Sequence, residues 1–109
     1  MPVLGELEQI LTSSVFRLYF NPPRNSKVIT FEVDGSVGEG RNANEYTWRT
    51  QDNMLELVQE DGDVHSRFAY DPRTASFLHT NDPDTHSIRN QYIVSVRQRD
   101  LISQAEDSA

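Results

Sequence analysis

The chain has 109 residues, 36% of them hydrophobic, and its 17 acidic groups outweigh 10 basic ones for a net charge of −7. That length suits one domain with its own core, and an acidic chain whose single lysine is Lys27 lacks the clustered cations that phosphate backbones require. Without cysteine there are no disulfides, thiol nucleophiles or thiolate metal sites; without an apolar run near the ~20 residues that span a bilayer, or a basic-then-apolar leader, the expectation is a cytoplasmic protein that engages neither membrane nor nucleic acid.

Residues 1–14 carry a short helical signal. Leu4, Leu7 and Leu11 recur at i, i+3 and i+7 with Ile10 on the same stripe, and Glu6 and Glu8 sit near the positive end of the helix dipole. From Val15 the period changes to two. Eight strands are predicted, at residues 15–20, 27–33, 36–40, 45–50, 54–59, 64–70, 75–79 and 88–96. Asn21-Pro22-Pro23, Asp34-Gly35, Asp52-Asn53, Asp61-Gly62, Asp71-Pro72 and Asp82-Pro83 separate them, each a combination with a steric reason to turn. Residues 97–109 read as a flexible acidic tail in which Leu101 and Ile102 could seed a helix.

The turns test one another, because a two-residue loop fixes which residues face each other across a hairpin. A loop at Asp52-Asn53 pairs Arg49 with Glu56 and Trp48 with Leu57; one at Asp61-Gly62 pairs Val58 with His65, Leu57 with Ser66, Glu56 with Arg67 and Leu55 with Phe68. Together they define one face of Tyr46, Trp48, Leu55, Leu57, Val64, Phe68 and Tyr70. The opposite face carries Thr47, Arg49, Glu56, His65 and Arg67, with Val58 as its apolar exception. Glu56 then bridges two arginines, a ladder contributing roughly 0.2 to 1 kcal/mol per pair. The same logic sets Phe31 opposite Gly38 and Ile29 opposite Gly40, and a turn over 71–74 sets Phe68 opposite Phe77. The expected fold is all-β: an antiparallel up-and-down meander of about eight strands over 15–96, closed or nearly closed into a barrel, with the helix of 1–14 packed on it. A half-open sheet packed on the helix, or one completed in a homodimer, is the alternative, since 36–40 is a weak strand.

Phe31-Glu32-Val33-Asp34-Gly35, Asn44-Glu45 leading to Trp48, Leu55-Glu56-Leu57 and Asp61-Gly62 with Phe68 together resemble a segment of bacterial surface-polysaccharide and glycosyltransferase-related proteins. The resemblance spans about the middle third of the chain and implies no catalytic residue. The architecture is similar to the calycin barrels, which include lipocalins, although Phe16 and Tyr19 stand where a lipocalin carries G-x-W. It implies ligand binding by analogy of fold.

Four residues are the candidate ligand-binding set. Asn44 and Glu45 enter a strand at what would be a barrel rim, Trp48 offers an aromatic face and Arg49 a guanidinium, the mixture that orients a sugar or other small molecule. The competing reading makes Trp48 a core residue and Asn42 and Asn44 turn formers. The loop from His79 to His86 gathers two imidazoles and two carboxylates, but its spacing fits no metal motif and a polar connection is the preferred reading. Arg49, Arg67 and Arg89 could form an anion stripe if Glu56 did not neutralise them, and Phe16, Tyr19 and Phe20 a partner surface if their strand lay at an edge. Asp71, Glu45, His65 and His79 are conceivable proton-transfer groups, but no catalytic motif surrounds them. The sequence therefore points to a non-catalytic binding domain for a small molecule, glycan or peptide, without cofactor or metal. An accessory subunit docking on an enzyme through an edge strand or the helix is the second reading, and metal-assisted or hydrolytic catalysis the third.

Overall fold

The computed structural model describes residues 5–99; Leu4 and residues 100–109 of the expected tail lie outside the described residues. Among the described residues one helix, α1 (Glu6–Thr12), precedes seven strands: β1 (Ser14–Asn21), β2 (Asn25–Ile29), β3 (Thr47–Gln51), β4 (Met54–Val58), β5 (Val64–Asp71), β6 (Ser76–His79) and β7 (Tyr92–Gln98). All strand pairing is antiparallel, in the order β2-β1-β7-β6-β5-β4-β3. Consecutive strands are neighbours throughout except β2 and β3, and the first strand pairs with the last. This is a meander that curls and closes between β7 and β1 but opens between β2 and β3. The helix is not long and apolar enough to cross a membrane.

The opening lies where an eighth strand was expected. Residues 36–40 make two isolated bridges instead, Phe31 with Val37 and Ser36 with Thr47. The expected two-residue turn is a three-residue one. Glu32 N–H donates to Ser36 O at 2.9 Å, leaving Val33, Asp34 and Gly35 in the loop, and Asp34 Oδ1 accepts from Ser36 N at 2.9 Å. Phe31 therefore faces Val37, not Gly38. The run then ends at once, because Gly40 takes a left-handed φ of +83° and its bare α-carbon passes against the Val28 carbonyl, where any Cβ would collide. The segment patches the seam through Val37 N–H to Tyr46 O (3.1 Å) and Trp48 N–H to Gly35 O (2.9 Å), and the barrel stays open.

The register of β3 and β4 follows directly from the turn that joins them. Asp52 and Asn53 occupy φ of 53° and 63°, the left-handed pair that a two-residue hairpin loop demands and that short polar side chains tolerate. Gln51 faces Met54, Arg49 faces Glu56 and Trp48 faces Leu57, as expected. Between β4 and β5 the outcome is subtler. Gln59 N–H donates to Asp63 O at 2.8 Å, so the loop holds Glu60, Asp61 and Gly62, one residue more than expected. Val58 consequently faces Val64 and not His65, but a bulge follows, and Leu57–Ser66, Glu56–Arg67 and Leu55–Phe68 fall back into the expected register. His65 is the extra residue of that bulge. Between β5 and β6 the loop is 72–75 with Ala75 at φ 53°, so Phe68 faces His79, and Phe77 faces Tyr70. That slip of two residues preserves which face each side chain occupies.

The inner face holds the core. Phe16 meets Phe31 and Phe77 edge to face, with centroids 5.6 and 5.9 Å away, and Phe31 meets Trp48 at 5.8 Å. Phe16, Phe31, Phe68 and Phe77 are all fully buried, each contributing roughly 2 to 3 kcal/mol of transfer free energy. Leu7 and Leu11 bring α1 onto this core, and Thr50 Oγ1 donates to the Glu8 carboxylate, tying the helix to β3. Tyr46 departs from the expected inner face. It precedes β3 and is exposed, with the Arg41 guanidinium 5.9 Å from its ring centre. Phe16, Tyr19 and Phe20 offer no edge, because β1 lies between β2 and β7; Phe16 is core and Tyr19 stacks on Tyr92 at 4.4 Å.

Candidate functional site

At one end of the open seam, β1, β2, β5 and two loops converge on a cleft of about 410 Å³, within the usual range for small-molecule sites. The loop after Gly40 is shaped by one side chain. Asn42 Oδ1 accepts from the backbone N–H of Asn44 (2.9 Å) and of Glu45 (2.7 Å), and the turn leaves Glu45 only 4% exposed. Glu45 then closes the seam from inside: Lys27 Nζ of β2 lies 2.5 Å from Oε1, and His65 Nε2 of β5 lies 3.2 Å from Oε2. Burial pushes the Glu45 carboxyl up, but hydrogen bonds from His65 and Lys27 outweigh it and hold the carboxyl below the usual glutamate range. The β5 bulge brings His65 to Glu45. Its other nitrogen, Nδ1, lies 3.2 Å from Gln59 Oε1.

His65 also positions the opposite wall. Its carbonyl accepts from the backbone N–H of His86 (3.0 Å) and Ser87 (2.9 Å), and the chain from there through Ile88 to Gln91 flanks the cleft. Gln91 Nε2 donates to Phe20 O at 2.8 Å, joining this wall to β1. Phe20 and the exposed Ile88 supply apolar surface. Lys27 also lies over the Phe20 ring, 5.8 Å from its centre.

The four expected ligand-binding residues separate into two pairs. Asn44 and Glu45 both line the cleft. Trp48 does not: it is buried in the core and its indole N–H donates to Glu32 O at 2.9 Å. Arg49 lies on the outer face, with its Nε 2.7 Å from Glu56 Oε1. Phe20, Lys27, His65, His86 and Gln91 also line the cleft without having been singled out as a group. Lys27 stands 18 positions before its partner Glu45, so no local pattern announces the pair. The one available clue was Lys27 itself, the lone lysine within an apolar strand.

The His79–His86 loop is explained by Arg67. Its Nη1 lies 2.7 Å from Asp82 Oδ2 and 3.0 Å from Asp84 Oδ1, while its Nε lies 2.8 Å from Glu56 Oε2. Both loop carboxylates thus belong to a guanidinium, and they are held below the usual range chiefly by Arg67. Among the described residues no group of three or more histidines and carboxylates is placed to hold a metal. Arg49 and Arg67 are both engaged by Glu56, so neither guanidinium is left uncompensated for an anion stripe.

His79 is a core residue. Its Nδ1 lies 2.8 Å from the Asn81 backbone nitrogen and 3.0 Å from Asn81 Oδ1, and its Nε2 lies 2.6 Å from Ser87 Oγ. Burial is the main reason its pKa lies below the ordinary histidine value. The unfolded chain therefore binds a proton at a higher pH than the native one does, and stability is lost as pH falls below about 6.5. Urea titrations at about pH 7.5 and 5.5 will show this decline, and His79→Gln will reduce it.

The chain matches no family model, no curated protein and no solved structure.

Proposed function

We propose that the protein is a small-molecule-binding domain whose site is the cleft beside the seam. The observation that carries this reading is Glu45, a buried carboxylate paired to both Lys27 and His65 at the floor of an open cleft of about 410 Å³. Burying an ion pair gains little stability, so such pairs are weak evidence of a structural role alone. Here the pair fixes the cleft's two sides at a set spacing and leaves Asn44, Phe20 and Ile88 on its walls. A rigid, partly apolar concavity with a few oriented polar groups is what recognition of a small ligand requires.

Amide proton–nitrogen spectra recorded while a metabolite and glycan panel is added test this reading. The expected result is saturable shifts across Asn42 to Glu45 and at Gln91, with Trp48 fluorescence little changed. Asn44→Ala will weaken the ligand found by roughly three- to tenfold, the effect of one neutral hydrogen bond. Shifts confined to the outer face around Arg49 and Glu56 would place binding elsewhere and refute the assignment.

A further inference from the structure

Resting on that reading, we infer that the cleft takes an uncharged, polyhydroxylated ligand of about one or two sugar rings and discriminates against charged molecules of the same size. The fixed charges at its floor already answer one another. Lys27 stands 2.5 Å from Glu45 Oε1, so an anion that approached its ammonium would also confront a carboxylate. A cation fares no better: the Oε1 of Glu45 is taken by Lys27 and the Oε2 by His65, and displacing either would leave a buried charge unpaired. The chain's net charge of −7 adds a further field against anions.

Apart from His86, whose Nε2 lies 3.8 Å from Asp63 Oδ2, what remains for a ligand is neutral. The Asn44 side chain bonds to none of the described residues and is exposed, offering both a donor and an acceptor. The Asn42 amide oxygen is committed to its own turn, which leaves the NH₂ group of that side chain to give. Ser87 Oγ, 2.6 Å from His79 Nε2, adds a neutral hydroxyl to the wall. Beside them, the half-buried Phe20 and the 54% exposed Ile88 supply apolar surface. Uncharged donors and acceptors next to an apolar wall match the alternating hydroxyl and C–H surfaces of a sugar ring. The volume of about 410 Å³ accommodates a ligand of this size.

The test compares glucose, maltose, cellobiose and xylobiose with glucuronate, a hexose phosphate and glucosamine. Each is titrated into the full chain at one fixed pH and followed by amide shifts at Asn42 to Glu45 and Gln91. At least one neutral sugar will shift these amides saturably with an affinity at least about tenfold above that of every charged probe, a difference of about 1.4 kcal/mol. Ile88→Ala, an exposed change that leaves the core intact, will weaken that sugar several-fold. A charged probe that binds these same amides as tightly or more tightly overturns the ligand class but leaves the cleft as a binding site. No shift at these amides with any of the seven overturns the ligand class too, and the cleft itself falls as a site only if the broader metabolite panel is equally silent there.

Discussion

Trp48→Ala will destabilise the protein by about 4 kcal/mol, the cost typical of removing a large aromatic side chain from a packed core. The side chain is 7% exposed and packs edge to face on Phe31, whose ring in turn packs on Phe16, so the cavity opens at the end of a continuous aromatic series. The change also removes the indole donor to Glu32 O, leaving a carbonyl short of a partner. Total stabilities of small domains run to roughly 5 to 15 kcal/mol, so a loss of this size removes a large share. Urea unfolding followed by far-ultraviolet circular dichroism measures it, since the chain's one tryptophan disappears with the substitution. Trp48→Phe keeps most of the volume and loses the hydrogen bond, and will cost about 1 to 2 kcal/mol. Because Trp48 does not line the cleft, Trp48→Phe will leave ligand affinity unchanged. A binding defect in a folded Trp48→Phe protein would move the site away from Asn44 and Glu45.

Arg67→Ala is the second large effect, about 3 kcal/mol at neutral pH, the lower end of what breaking a buried charge pair costs, because Arg49 still serves Glu56. Arg67 joins β4, its own strand and the loop after β6 through three carboxylates, so its loss frees Asp82 and Asp84 together. The pH dependence carries the signature. Burial pushes the Glu56 carboxyl up, and the two guanidiniums more than reverse it, so its folded pKa lies below the ordinary 4.5. Arg67 likewise holds the Asp82 and Asp84 carboxyls below their ordinary value. Stabilisation from such groups is complete above the unfolded pKa and disappears as pH falls through the lower folded one. Wild type and Arg67→Ala will therefore differ most near pH 7 and converge only as pH falls through the lowered folded values, with the variant showing the shallower acid slope. Equal slopes would mean that Arg67 sets none of these protonation equilibria.

Much of the sheet was legible because local chemistry decides it. Asp52 and Asn53 accept left-handed backbone, and from them the pairing of Trp48, Arg49, Glu56 and Leu57 follows by counting. The inward set of Leu55, Leu57 and Phe68 and the Arg49–Glu56–Arg67 bridge were legible for the same reason. Asp34-Gly35 and Asp61-Gly62 misled because both sit in three-residue loops, stabilised by aspartate side chains that accept from the backbone two residues on, at 2.9 and 3.0 Å. Nothing in the alternation distinguishes such a loop from a two-residue one. The seam was illegible because it depends on Gly40 passing close to Val28, a contact between segments 12 positions apart. The cleft was half legible. Asn44 and Glu45 sit before a strand and were recognisable as rim residues, whereas the placement of Lys27 and His65 depends on strand order, and Trp48 was inward for the core's sake.

The bulge in β5 bears on how freely this hairpin can be altered. Its long loop and its surplus residue cancel, so every rung from Leu57–Ser66 onward stands where a tight turn and an unbroken ladder would have put it. Strand pairing by itself has no use for an imidazole at position 65. The hairpin thus houses a residue that its own zipper could omit, and that surplus position is what lends a ring to Glu45 and a carbonyl to the loop at His86 and Ser87.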